Sequence, residues 1–212
     1  MAIFNVSNQL LQIDTGKVRT NLYNPTLGFA PWKGLGENQV LGQRYFGVDN
    51  VTPTNPSGTP TIFMCVQYLS TSAITTANLT TAAAPAPVYW TDNTFTTVTG
   101  ITTEGIGGTT LGLGFPAGFM MLNTVSLPGL TAANLLGAQI LIQVGGFLSQ
   151  AYMLNTANAG IGSWIVPVAG TLSSAFIAAG STTTYQPFGR QMSVLSAITT
   201  GLVDVLVGCD NI

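Results

Sequence analysis

At 212 residues, with 46% apolar and only 6% charged side chains, the chain suffices for one large all-β domain or two small ones with a buried core. A net charge of −2 gives no electrostatic footprint for a polyanion, so direct nucleic-acid binding is not expected; charge-rich disorder and a coiled coil are excluded by the same scarcity. The absence of any histidine removes the commonest general base and the commonest transition-metal ligand.

The N-terminus, Met1 to Ser7, has neither a basic region nor an apolar run, which predicts no secretion signal and assembly in a cytoplasm. Residues 1–37 carry Lys17, Arg19 and Lys33 with Tyr23, Phe29 and Trp32 among Asn, Pro and Gly, without periodicity. They read as an extended, irregular arm, followed by a single β-rich domain over residues 38–212. Helix formers are scarce and Gly and Pro punctuate the chain at short intervals.

Thr61 to Leu69 is strand-length, with apolar residues on both faces, as in a strand covered on each side. The Thr/Ala/Pro-rich stretch 70–87 reads as a long loop. Val88 to Thr91 and Thr94 to Val98 predict a hairpin with Asp92-Asn93 as its two turn residues. In Gly137 to Val144, Ala138, Ile140, Ile142 and Val144 share one face and Gln139, Leu141 and Gln143 the other. Gly145-Gly146 permits a tight turn or bulge, after which Phe147 to Leu154 is expected to return as a new strand.

Ser163 to Val168 is strand-like, and Pro167, which has no N–H to donate, should lie at an edge or at the strand's end. Gln191 to Ala197 and Leu202 to Val207 flank a turn at Ile198 to Gly201. Val203, Val205 and Val207 occupy one face; Asp204 among apolar residues on the other indicates partial cover.

Motifs for chemistry are weak. Gly112-Leu113-Gly114-Phe115-Pro116 sets a proline where a dinucleotide-binding helix would form, so its glycines read as turns. No Gly-Lys-Ser/Thr and no Gly-x-Ser-x-Gly occurs, and a catalytic triad would need Lys17 or Lys33 as its base. Asp92 near Tyr89 and Trp90, and Asp49 near Tyr45 and Phe46, are the carboxylates with aromatic neighbours that a sugar cleft would use; strand and turn packing explains both as well. Asp49-Asn50 and Asp210-Asn211 lack a calcium-loop pattern, and Cys65 and Cys209 read as buried, reduced small hydrophobes without zinc spacing. No catalytic residue, metal or cofactor is expected.

Mean hydropathy is +0.43, yet Leu111 to Leu122 and Leu135 to Leu148 are too short and too broken by Gly, Pro and Gln for a spanning helix, so no membrane is expected. From Gly105 through Gly189 there is no Lys, Arg, Asp or Glu. A free domain usually carries roughly 25–35% charged residues on its surface. A neutral polar surface suits a subunit settled in a permanent assembly, where few ions need desolvating; a low-charge secreted protein is the competing explanation.

The C-terminal half resembles the head decoration (cement) proteins of tailed bacteriophages. The resemblance rests on Gly137-Ala138-Gln139-Ile140-Leu141-Ile142-Gln143-Val144-Gly145-Gly146, then Gly162-Ser163-Trp164-Ile165, Gly189 to Ala197, and Gly201 to Val207, with Val88-Tyr89-Trp90-Thr91 upstream. It implies an all-β fold, a small sandwich or barrel, that clamps neighbouring major capsid subunits from the outside of the virion, commonly as a trimer, with monomers and dimers also occurring in that class. In that setting the arm and the segment after it, with Lys17, Arg19, Trp32, Lys33, Arg44 and Tyr45, are the expected capsid contacts, since aromatic and Arg anchors dominate such interfaces. The alternative is another structural virion protein: a jelly-roll or minor capsid protein, or a tail or fibre module.

Overall fold

The computed structural model describes residues 22–23, 41–49, 59–69, 86–100, 115–120, 136–154, 161–168, 171–175, 187–193 and 200–208. Among them are eleven strands and no helix: β1 Leu22–Tyr23, β2 Arg44–Asp49, β3 Thr59–Tyr68, β4 Ala86–Trp90, β5 Thr97–Thr99, β6 Pro116–Met120, β7 Gln139–Leu154, β8 Trp164–Val168, β9 Thr171–Ala175, β10 Gly189–Gln191 and β11 Thr200–Gly208. The protein is all-β, as its composition and punctuation predict.

The pairings β7–β6–β4–β5–β3–β7 close on themselves, giving a five-stranded barrel. Every strand of this ring sends side chains into one cluster, which includes Val66, Trp90, Val98, Met120 and Ile140 and fills the lumen. A small barrel filled by side chains leaves no channel. A second circuit of pairings runs β7–β11–β10–β8–β9–β7, its last link the single pair Leu154↔Ser173. These added strands lie over the barrel wall. Between wall and cover sits a second core, in which Phe63, Cys65, Tyr89, Phe119 and Leu141 of the barrel meet Ile165, Phe188, Val203, Val205 and Val207 of the cover.

Strand β3 follows from this arrangement. Phe63 and Cys65 point to the outer core, Met64, Val66 and Tyr68 to the lumen, and so both faces of the strand are apolar. Phe188, just ahead of β10, is fully buried, its ring 5.5 Å from Tyr89 and 5.2 Å from Phe119. Burying one such ring stabilises the cover on the barrel by about 2–3 kcal/mol.

Strand β7 corrects an expectation. Gly145-Gly146 does not start a return strand: β7 continues through it for 16 residues. The glycines instead host a bulge, where pairing with β3 slips from Ile62↔Gly145 to Phe63↔Gln143. Beyond it, β7 leaves β3 and takes β11 as its partner from Gly145 to Leu154.

The hairpin β4–β5 forms, but its connection runs from Thr91 to Thr96, longer than the expected two residues. The Asp92 carboxylate organises it by accepting from the backbone N–H of Thr94 at 2.9 Å, which makes an Asx turn of the local chain. Phe95 sits at φ 53 with its ring edge-on to Trp90 at 5.6 Å, so burial of an aromatic over the barrel end outweighs the shorter turn.

Two boundaries also shift. Ala86 and Pro87 belong to β4, although the Thr/Ala/Pro composition extends the expected loop to 87; β5 pairs only with Tyr89 and Trp90, so the missing N–H of Pro87 breaks no ladder there. Pro167 sits inside β8, opposite Leu172 of β9 and one residue before the strand's end; on its other side β10 reaches only Trp164 and Ile165, so the missing N–H breaks no ladder there. The strand expected at Gln191 to Ala197 is β10, ending at Gln191, and 194–197 lie outside the described residues. Of the arm, Leu22 and Tyr23 are described, paired with Ile140 and Gln139 of β7.

Candidate functional site

Of the residues expected to contact a capsid, Lys17, Arg19, Trp32 and Lys33 lie outside the described residues. Arg44 and Tyr45 stand on β2, opposite Met64 and Phe63. Arg44 is half-buried, and Tyr45 is 7% exposed, its ring in the outer core and its hydroxyl donating to Gln43 Oε1 at 3.2 Å. Tyr45 thus presents little of its surface to a partner.

The Asp92 cluster is a turn. Its Oδ1 accepts from the hydroxyl of Thr94 at 2.6 Å as well as from the Thr94 N–H, and its Oδ2 accepts from the hydroxyl of Thr97 at 2.8 Å. These bonds hold the carboxyl below the usual carboxylate range, the Thr94 hydroxyl first and Thr97 second. Tyr89 and Trp90 are each 1% exposed and belong to the two cores, so they form no aromatic platform beside it. The side chain of Asp49 lies outside the described residues.

Among the described residues there is no group of three or more His, Cys, Asp or Glu side chains that could hold a metal ion, and no helix long and apolar enough to cross a membrane. Burial pushes the Cys65 thiol up to about 12, the opposite of what a nucleophile or metal ligand requires.

An exposed surface that combines a cation, an indole ring and apolar side chains lies on the cover. Strands β8, β10 and β11 turn Ile165, Gln191, Val203, Val205 and Val207 inward; of the alternate residues, Trp164, Arg190, Asp204 and Leu206 are half-buried or exposed, while Val166 is covered. Cross-strand register puts Leu206, Arg190 and Trp164 side by side in one row. The Arg190 guanidinium lies over the Trp164 ring, 3.7 Å from its centroid, and its Nη1 donates to the carbonyl of Gly162 at 2.8 Å. Ile161, Met192 and Leu206 surround it, 66%, 42% and 45% exposed. A guanidinium held in place among exposed apolar side chains is a composition that protein-contact surfaces favour.

Sequence reasoning missed this face. Trp164 and Arg190 are separated by 25 residues in the sequence, and the pairing of β8 with β10 makes them neighbours. The available signal was the alternation around Asp204, which marks that side of β11 as partly open. Against known protein families, curated proteins and solved structures, the chain matches none.

Proposed function

We propose that the protein is a structural virion component without catalytic activity that binds the outer surface of a phage capsid and cements neighbouring major capsid subunits. The observation that carries this reading is the distribution of charge on an all-β body: 6% charged side chains overall, and none from Gly105 through Gly189. A subunit in a permanent contact gains from neutral polar and apolar surface, because each ion left without a partner there would have to be desolvated. The doubly cored β-body supports the reading as a rigid block able to clamp neighbours, and the chain 1–37 supplies cations and aromatics for an arm across them.

The test is co-sedimentation of the full chain with expanded, undecorated heads of the virus that encodes it. The full chain is expected to pellet with the heads and to raise the temperature at which they release DNA. A chain that stays in the supernatant overturns the reading. A truncation to residues 22–212 keeps β1 in place and isolates the first 21 residues; undiminished binding would remove Lys17 and Arg19 from the contact.

A further inference from the structure

We infer that the outward face of β8, β10 and β11 is self-complementary and that two copies of the chain pair through it about a two-fold axis. The argument starts from register. Arg190 stands opposite Leu206 on β11. One step along the same face, Met192 stands opposite Asp204, its N–H donating to the Asp204 carbonyl at 2.7 Å. Leu206, Arg190, Met192 and Asp204 therefore occupy the corners of a quadrilateral, with strands about 4.8 Å apart and same-face neighbours about 7 Å apart along each strand. The cation and the anion sit on one diagonal, the two apolar residues on the other.

A two-fold axis lying in the contact plane along the Leu206–Met192 diagonal carries each charged corner to within about 3 Å of where the other stands. It sets Arg190 of one copy against Asp204 of the other, twice, and places Leu206 on Leu206 and Met192 on Met192. This is the isologous arrangement that a closed dimer requires. Exposed Ile161 and the Trp164 ring flank the quadrilateral on the β8 side and extend the apolar contact. Arg190 is pre-organised for the role, because stacking on Trp164 and the bond to Gly162 draw its head toward β8 and hold it there. Like-charged corners would repel on pairing; opposite ones select the register. The pairing is a property of the isolated protein and does not depend on the capsid reading.

Sedimentation velocity of the purified full chain over about 1 to 100 µM is expected to show a reversible dimer with a dissociation constant of about 10 µM, as suits a contact at the small end of the range. Arg190→Glu and Asp204→Arg are each expected to weaken pairing about tenfold or more, and the double exchange to restore it. Leu206→Asp, at a position already 45% exposed, sets two carboxylates on the axis and is expected to abolish the dimer without changing the unfolding midpoint. A wild-type monomer throughout this range overturns the inference. So does a trimer, which needs a different, head-to-tail contact, or a dimer indifferent to Leu206→Asp.

Discussion

Leu141 and Leu148 lie seven residues apart on β7 and face the same core. In unbroken alternation an odd separation puts two side chains on opposite faces. The bulge at Val144–Gly145 adds one residue against β3 and reverses the parity. This reversal is what lets one strand build two cores: up to Val144 its even-numbered residues fill the barrel, and after Gly146 the even-numbered Leu148 meets Val205 beneath the cover.

Gly146 should therefore be intolerant of substitution. Its φ is +85, and a Cβ there would lie 2.2 Å from the Pro60 carbonyl oxygen and 2.8 Å from the Thr61 Cα, both backbone atoms that cannot swing aside. Gly162 has nearly the same φ, +88, with nothing within 4 Å of an added Cβ. Gly162→Ala is expected to cost about 1–2 kcal/mol from backbone strain alone. Gly146→Ala adds displacement of β3 and should cost about 3 kcal/mol or more. Urea midpoints of the two variants check this; equal losses would mean that the close approach of β3 at the bulge is unimportant.

How much of this was legible beforehand depends on the range of the interactions. The two-faced strand at Thr61, the alternation from Ala138 to Val144 and the valine stripe of β11 were all readable, because each records its environment in its own side chains. The fate of Gly145-Gly146 was not. A glycine pair is compatible with both a reversal and a bulge, and the choice is made by β3 and β11, distant in sequence, which offer ladder partners on either side of the pair. The candidate contact face was illegible for the same reason: Trp164, Arg190 and Leu206 become neighbours only through register. The charge scarcity that suggests an assembly role gives no position for the contact.

Gln143 holds the bulge from within. It is fully buried on the outer-core side, and its Nε2 donates to the carbonyls of Phe147 at 2.8 Å and Gly145 at 3.3 Å, while its Oε1 accepts from no donor among the described residues. Gln143→Leu leaves those carbonyls without the amide and is expected to cost about 1–3 kcal/mol. Gln143→Glu should cost more at neutral pH, since an ionised carboxylate donates nothing and faces two carbonyl oxygens. Burial raises that carboxyl's pKa in the folded state, so the deficit relative to Gln143 narrows as pH falls and the acid regains a proton to donate. A deficit independent of pH would show that the side chain escapes to water.

Cys65 should behave as a sealed thiol. Its pKa is raised from 9.0 to about 12 by burial between Phe63 and the outer core, so the folded state holds the proton more tightly than the unfolded chain does. The resulting stabilisation is complete below the unfolded value and is lost as pH rises from about 9 toward about 12. In a Cys209→Ser background, native protein at pH 8 should resist an aromatic disulfide reagent, with labelling that tracks the unfolded fraction in urea. Rapid labelling without denaturant would show that the core opens locally at β3.

Asp92 gives the opposite pH signature. Its carboxyl is held below the usual carboxylate range by the hydroxyl of Thr94 and then that of Thr97, so the folded state prefers the ionised form more than the unfolded chain does. The contribution is present above the ordinary carboxylate pKa and disappears as pH falls through the lower, folded value. Asp92→Asn keeps one acceptor oxygen for Thr94 but offers an N–H₂ where Thr97 needs an acceptor. The stability gap between wild type and Asp92→Asn should thus be open at neutral pH and close under acid conditions, measured as thermal midpoints across a pH series. Thr97→Val should reduce the gap, because it removes the second donor while keeping the side chain's shape. A gap that persisted unchanged into acid would mean that the turn depends on the shape of the side chain at 92 and not on its charge.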